Sequence, residues 1–139
     1  MPRLTRWFLR TALLWLVAAL AVGALLAASG VVRLPPIVGS LGPAYFHLLM
    51  VGWVTQLIVG MVFWMFPKHS AARPRGSEAL GWAVYGLLNS GLALRLLAEP
   101  WQSATPGPLP GGLLVASALL QWLAGMGFVA NTWTRVKER

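Results

Sequence analysis

Four apolar stretches, each close to the length that crosses a lipid bilayer, occupy most of this chain of 139 residues. A helix of about 20 residues spans the hydrocarbon core of a membrane. The stretches are Phe8–Ser29, Ala44–Phe66, Ala79–Ala98 and Leu113–Trp133. Only short connections remain between them, so neighbouring helices must run in opposite directions. The sequence therefore predicts one all-α domain, an integral membrane, antiparallel four-helix bundle.

The composition agrees with a lipid environment. Hydrophobic residues make up 58% of the chain and charged residues 10%, which is too few charges for an ordinary soluble domain. Cysteine is absent, so disulfides, a thiolate nucleophile and cysteine-bound metal clusters are excluded. The net charge of +8 is placed in short clusters beside the apolar stretches. That placement predicts membrane lipid as a partner and no nucleic-acid binding.

Helix breakers fill the connections between the stretches. Pro35, Pro36 and Pro43 precede the second stretch, which we expect to begin just after Pro43. Ser77 suits the cap of the third helix, which should end at Glu99 and Pro100. The first stretch also resembles a signal peptide, with its arginines and the run 27–29, but its apolar part is longer than the usual 7–15 residues. We therefore interpret it as a retained helix.

Basic residues alternate between the two sides of the predicted bundle. Nine lie on one side and two on the other. The nine are Arg3, Arg6, Arg10, Lys68, Arg73, Arg75, Arg135, Lys137 and Arg139, and the two are Arg33 and Arg95. Basic loops stay on the cytoplasmic side of a membrane. We therefore expect a multi-pass protein of the cell inner (plasma) membrane, with both termini cytoplasmic.

Few polar side chains fall inside the stretches, and such residues are the first functional candidates in a membrane protein. They are His47, Gln56, Asn89, Arg95 and Gln121. Gly52, Gln56 and Gly60 recur every four residues, a pattern typical of close helix packing. We interpret Asn89 and Gln121 as side chains that bond between helices. No carboxylate lies deep in a stretch, which argues against a transporter built on acidic relays and against hydrolysis by paired carboxylates.

His47 lies about one helical turn below the outer end of the second helix, where its imidazole can bind a metal or haem iron. Alternatively, it is an interfacial histidine bonded to loop carbonyls. At 100° per residue it lies on the face opposite Gln56. Arg95 lies at a similar depth, and it can pair with Glu99 one turn away or, with Arg33, bind carboxylates such as haem propionates. His69 is expected to be a solvated interface residue.

The segment from His47 to Pro67, HLLMVGWVTQLIVGMVFWMFP, resembles the second-helix region of subunit I of haem–copper oxidases, especially the cbb3-type and nitric oxide reductase branch. Three further segments, Pro74-Arg75-Gly76, Gly81-Trp82 and Asn89–Pro100, extend the resemblance into the third helix. In that family the second-helix histidine near the outer face is an axial ligand of the low-spin haem. The resemblance thus implies that His47 binds a b-type haem, with Arg95 and Arg33 beside it.

The chain also departs from that family. The family subunit is much longer and carries further histidines for its second axial ligand, its high-spin haem and its copper or iron, whereas this chain has only His47 and His69. It is therefore not expected to be catalytic alone. Three outcomes remain open: a five-coordinate haem able to bind a gas, a haem shared by two His47 residues in a homodimer, or no haem.

Three functions follow from these observations. The first is a respiratory accessory protein, related to an oxidase or nitric oxide reductase subunit, that holds haem in a gas-binding or electron-transfer role. The second is a structural or assembly partner of such an enzyme without a cofactor. The third, a small transporter, has the least support because no polar pathway is evident.

Overall fold

The computed structural model describes residues 1–68 and 75–136, and within those ranges the chain forms helices and no strand. Four long helices follow one another, and we call them α1 to α4. Their bounds are Arg3–Ala28, Pro36–Met65, Glu78–Ala104 and Pro108–Arg135. Each is long and apolar enough to cross a membrane. The chain is thus an all-helical membrane protein, while His69, Arg73, Lys137 and Arg139 lie outside the described residues.

The helices extend beyond the predicted apolar stretches. α1 begins at Arg3, so its first turns carry the basic residues of the amino terminus. α3 continues through Pro100 to Ala104, and α4 begins at Pro108, five residues before the predicted stretch. Pro108 fits the first helical turn because the amide hydrogen that it lacks would have no partner in the helix. Proline is therefore a poor guide to these two helix ends.

α2 changes its helical form three times along its length. It starts as a 3-10 helix at Pro36–Leu41, becomes an α-helix at Gly42–His47, widens to a π-helix at Leu48–Thr55, and returns to an α-helix at Gln56–Met65. The hydroxyl of Thr55 donates to the carbonyl of Met50, 2.8 Å away and five residues back. A long π segment is rare and occurs mostly at functional sites.

Because of the π segment, residues that are four positions apart stay on one face of α2, and we call this row of residues the stripe. In an α-helix every fourth residue overshoots a full turn, whereas in the wider π-helix it falls short of one. The excess rotation in the α-helical segments and the missing rotation in the π segment therefore offset each other along α2. As a result Ala44, Leu48, Gly52, Gln56 and Gly60 are all buried.

Glycines in the stripe bring α2 against α1. A methyl group on Gly52 would lie 2.8 Å from Cβ of Trp15, and one on Gly60 would lie 2.8 Å from Cβ of Phe8. Gly60 follows Gly52 in the chain, whereas its neighbour Phe8 precedes Trp15. The two helices α1 and α2 therefore run in opposite directions. These contacts confirm the prediction that the glycines serve close packing.

α3 and α4 pack in the same manner. The hydroxyl of Ser117 on α4 donates to the carbonyl of Gly91 on α3, 2.6 Å away. Further along α4, a methyl group on Gly127 would lie 3.0 Å from Val84. A core cluster then joins all four helices, with members such as Phe8, Phe63, Leu88 and Ala124.

The start of α3 is held by two polar side chains. The hydroxyl of Ser77 accepts from the amide of Leu80 at 3.2 Å, as expected for a cap. Asn131 on α4 accepts from the amide of Ser77 at 2.9 Å and donates to its carbonyl at 3.2 Å. Gly76 just before the cap has φ of +75°, a conformation that favours glycine. This clamp joins the beginning of α3 to the end of α4.

Candidate functional site

The ring of His47 is bonded to its own helix. Its Nδ1 lies 2.9 Å from the carbonyl oxygen of Pro43, one turn earlier. A carbonyl oxygen only accepts, so Nδ1 carries the proton and, in the neutral ring, Nε2 carries the lone pair. This is the arrangement that fixes the tautomer of metal-binding histidines. The ring is half-buried and lies in the first α-helical segment of α2, Gly42–His47.

A carboxylate brings His47 and Arg95 together. Oε1 of Glu99 on α3 accepts from Nε of Arg95 at 3.0 Å and lies 4.0 Å from Nδ1 of His47. Oε2 of Glu99 is buried and has no hydrogen-bond partner among the described residues. The local ion pair of Arg95 and Glu99 is thus present. The contribution of Glu99 to the surroundings of His47 was missed, because it depends on how α2 and α3 pack.

Arg33 is not brought to this cluster. It lies exposed on the connection between α1 and α2. No hydrogen bond or ion pair joins it to His47, Arg95 or Glu99 in the described part of the chain. Its predicted role beside a haem therefore rests on its charge and on the side of the bundle where it lies.

His47 offers one nitrogen, Nε2, that could hold a haem iron. Nε2 is free to bind, but the three cavities described within residues 1–68 and 75–136 are lined by other side chains. No cluster of three His, Cys, Asp or Glu side chains occurs among those residues. A porphyrin on His47 would thus lie at the outer surface of the bundle, and its far side would need a second protein surface.

The prediction that His47 and Gln56 face in opposite directions is wrong. His47 approaches Glu99 on α3, and Gln56 donates to Asn89 on the same helix. The nine-residue separation includes the whole π segment, in which each residue turns the helix by less than 100°. The two side chains therefore both reach α3, at different depths.

A hydrogen-bonded network occupies the middle of the bundle. Nε2 of Gln56 donates to Oδ1 of Asn89 at 3.0 Å, and Nδ2 of Asn89 donates to Oε1 of Gln56 at 3.3 Å. The indole of Trp15 on α1 donates to the same Oδ1 at 2.9 Å. Near it, the hydroxyls of Thr11 and Tyr85 lie 2.7 Å apart. The network joins α1, α2 and α3, which confirms the structural interpretation of Asn89.

Gln121 does not bond across helices as predicted. Its Nε2 donates to the hydroxyl of Ser117 at 3.1 Å, one turn away on α4. Ser117 makes the crossing bond to α3 instead. Ser117 has a short side chain and lies against Gly91, so its hydroxyl reaches the carbonyl of Gly91. The amide of Gln121 bonds within α4 instead.

The sequence interpretation also missed Arg135, which was counted only as a basic residue of the tail. Its side chain is fully buried. It donates to the carbonyls of Phe63, Phe66 and Pro67 at 3.3, 2.9 and 3.0 Å. These carbonyls belong to the end of α2, where no further turn can bond them. From the sequence, a helix that ends at Pro67 is expected to leave carbonyls without a donor. The sequence does not show which side chain supplies that donor.

Comparison with known proteins finds no matching family model, no matching curated protein and no matching solved structure. The geometry supplies three arrangements instead. They are the cluster of His47, Glu99 and Arg95, the network around Asn89, and the capped end of α2. The second is fully used in joining helices, so the first and third are the places where a ligand can be sought.

Proposed function

We propose that this chain is a small accessory protein of a respiratory membrane, not catalytic alone, in which His47 supplies one axial ligand to a b-type haem. The observation that carries the proposal is the bond from Nδ1 of His47 to the carbonyl of Pro43, which leaves the lone pair on Nε2. The resemblance of the His47–Pro67 segment to an oxidase subunit gives the same residue the same role. When bound, the haem supplies an iron that carries an electron or binds a small gas.

Arg95 is the residue proposed to meet a haem propionate. Its Nε is bonded to Glu99, and no other hydrogen bond of its guanidinium is seen in the described ranges. The two terminal nitrogens can therefore form a bidentate pair with a carboxylate. Arg33 is proposed as a second, more exposed cation on the same side.

The proposal needs a second surface, because His47 offers only one axial position. A second copy of the chain would bring a second His47 and make a six-coordinate haem in a homodimer. An oxidase or nitric oxide reductase subunit could cover the haem instead. Without either partner, His47 would be the one residue proposed to hold the iron, which could then bind a gas.

The proposed orientation places both termini in the cytoplasm of a cell with an inner membrane, and His47 near the outer face. Its support is the count of nine basic residues against two on alternate sides of the four spans. Trp101 at the outer end, and Trp64 and Trp133 at the other, lie where an aromatic belt is expected.

The visible spectrum of the purified protein tests haem binding. After expression with ample haem, we expect a Soret band that is lost in His47→Ala and retained in His69→Ala, the matched control. A colourless wild-type preparation would refute the proposal. A Soret band that survives His47→Ala would mean that another residue binds the haem, and this result would also refute the proposal.

A second candidate is a structural or assembly partner without a cofactor. It is favoured by the use of Gly52, Gln56 and Gly60, all from the oxidase-like segment, in packing within this chain. A packing role alone accounts for those residues. Co-purification of a colourless protein with oxidase or nitric oxide reductase subunits would support this candidate. A transporter has less support, because Gln56 and Asn89 satisfy each other and leave no polar pathway between them.

A further inference from the structure

The end of α2 carries a buried positive charge that the described residues neutralise only in part. Arg135 faces the last carbonyls of α2, and the negative end of a helix is equivalent to about half an elementary charge. Neither carboxylate of the described residues pairs with it: Glu99 binds Arg95 at the other end of α3, and Glu78 begins α3 without a described ion pair to Arg135. In the part of the chain that the structure describes, a net positive charge therefore remains.

One nitrogen of Arg135 has no partner within residues 1–68 and 75–136. Nε and Nη2 make the three bonds to the carbonyls of α2. Nη1 is buried and has no hydrogen-bond partner among the described residues. An unpaired donor on a buried guanidinium is costly, about 1–3 kcal/mol or more for a charged group. A ligand with an anionic oxygen would remove that cost.

A shallow pocket that opens to the surroundings lies at the same place, and we call it the cavity. It has a volume of about 190 Å³ and is lined by Phe66, Pro67, Arg135 and Val136. A water molecule takes about 30 Å³ in the liquid, so the cavity has room for a group of roughly six non-hydrogen atoms. A phosphate group, with one phosphorus and four oxygens, fits within this limit.

Other cations lie around the cavity. Arg75 is the charged side chain that acts on Arg135 electrostatically, and Lys68 directly follows Pro67 and is exposed. Like charges in one place attract an anion from the surroundings. A guanidinium is the side chain best suited to the geometry of phosphate.

The surroundings of the cavity are those of a membrane interface. Trp133 and Val136 are 75% and 71% exposed, and Trp64 and Met65 at the end of α2 are also exposed. Exposed tryptophans at a helix end lie at the level of lipid headgroups. The basic side of the bundle is also the side on which anionic lipids accumulate in cells.

We infer that the cavity beneath Arg135 is a binding site for the phosphate of an anionic phospholipid headgroup. Nη1 donates to a phosphate oxygen, Arg75 and Lys68 balance the remaining charge, and the acyl chains extend along the exposed apolar surface beside Trp133. The lipid thereby holds the end of α4 against the end of α2. The inference is independent of haem at His47, which lies 20 residues before Pro67 in the chain.

The test counts phospholipids that stay bound to the full chain in native mass spectrometry. Detergent-purified protein is exposed to phosphatidylglycerol or phosphatidylcholine. We expect wild type to retain phosphatidylglycerol about tenfold better, because phosphatidylcholine carries the same phosphate together with a choline cation, which the buried charge of Arg135 repels. Arg135→Gln should abolish the preference. Arg10→Gln, which removes an exposed arginine from the same side, should keep it.

Arg135→Gln also removes the cap of α2 and can prevent folding. Val136→Trp provides a second variant, because it fills the cavity from an exposed position and leaves the three bonds of Arg135 in place. It should lose the phosphatidylglycerol preference while remaining folded. Equal retention of both lipids by wild type, or an unchanged preference in Val136→Trp, would overturn the inference.

A parallel arm separates the headgroup from free phosphate. Thermal stability is measured with inorganic phosphate and with phosphatidylglycerol, each in wild type and Val136→Trp. A rise with phosphatidylglycerol that needs the open cavity supports a lipid site. A rise that inorganic phosphate alone produces in full would show an ordinary anion site and contradict the lipid assignment.

Discussion

Gln56 and Asn89 satisfy each other through two hydrogen bonds between α2 and α3, and Trp15 of α1 adds a third. Gln56 is fully buried. An amide in hydrocarbon is costly unless its donors and acceptor are paired. Because the pair is shared by three helices, it fixes their register as well as their distance.

Replacing Asn89 with leucine should destabilise the bundle. The change leaves the amide of Gln56 and the indole of Trp15 without their common acceptor, at a cost of about 1–2 kcal/mol. Unfolding in detergent, followed by circular dichroism, measures it. Gln121→Leu removes an amide whose described bond stays within α4 and should cost less. An equal loss in the two variants would contradict the role assigned to the network.

The double variant Gln56→Leu with Asn89→Leu tests whether the two residues act as a pair. Once both amides are gone, neither leaves the other unsatisfied. The loss of unfolding free energy should therefore be smaller than the sum of the two single losses, by about 0.5 kcal/mol or more. Additive losses measured under the same conditions would show that the residues act separately.

Gly52 and Gly86 form a matched pair for testing the contact of α1 with α2. A methyl group on Gly52 would lie 2.8 Å from Trp15 and 2.9 Å from Leu92, whereas one on Gly86 would meet nothing within 4 Å. Gly52→Ala should cost about 1–3 kcal/mol of unfolding free energy by overpacking. Gly86→Ala should be neutral or stabilise by up to about 1 kcal/mol, because alanine favours a helix. The reverse order in thermal unfolding would refute the packing.

The sequence predicted the parts of this fold that depend on local pattern. The four helices follow from the length and apolarity of their stretches, because no other regular segment satisfies its backbone in lipid. The cap at Ser77 and the packing of Gly52 and Gly60 follow from residue type and spacing. Asn89 was predicted to bond between helices because a lone amide in a span needs a partner.

The parts that were not predicted depend on the packing of distant segments. The π segment alters the direction of His47 relative to Gln56, and no residue type marks its start or end. Glu99 approaches His47 only because α2 and α3 are adjacent at the depth of His47. Arg135 is 68 positions from Pro67 in the chain. Its burial depends on the end of α4 lying against the end of α2.

The orientation of the bundle is a prediction for reporter fusions. A fusion after Arg139 should be cytoplasmic and a truncated fusion after Pro106 should be outside, because basic connections alternate with nearly neutral ones. An alkaline phosphatase reporter is active only outside the cytoplasm. We therefore expect activity after Pro106 and none after Arg139. Activity at Arg139, or equal activity at both sites, would contradict the orientation.

The clamp between Gly76 and Asn131 gives the last prediction. Gly76 has φ of +75°, and a methyl group on it would lie 2.5 Å from Oδ1 of Asn131. Gly76→Ala should therefore cost about 1–2 kcal/mol for the left-handed backbone, and more for the clash. In an Asn131→Ala background the clash with Oδ1 is absent, and what remains is the backbone cost and a 3.2 Å approach to the carbonyl oxygen of residue 131. Thermal unfolding of the four proteins should thus show a smaller effect of Gly76→Ala in that background, and an equal effect in both would mean that Asn131 does not press on Gly76.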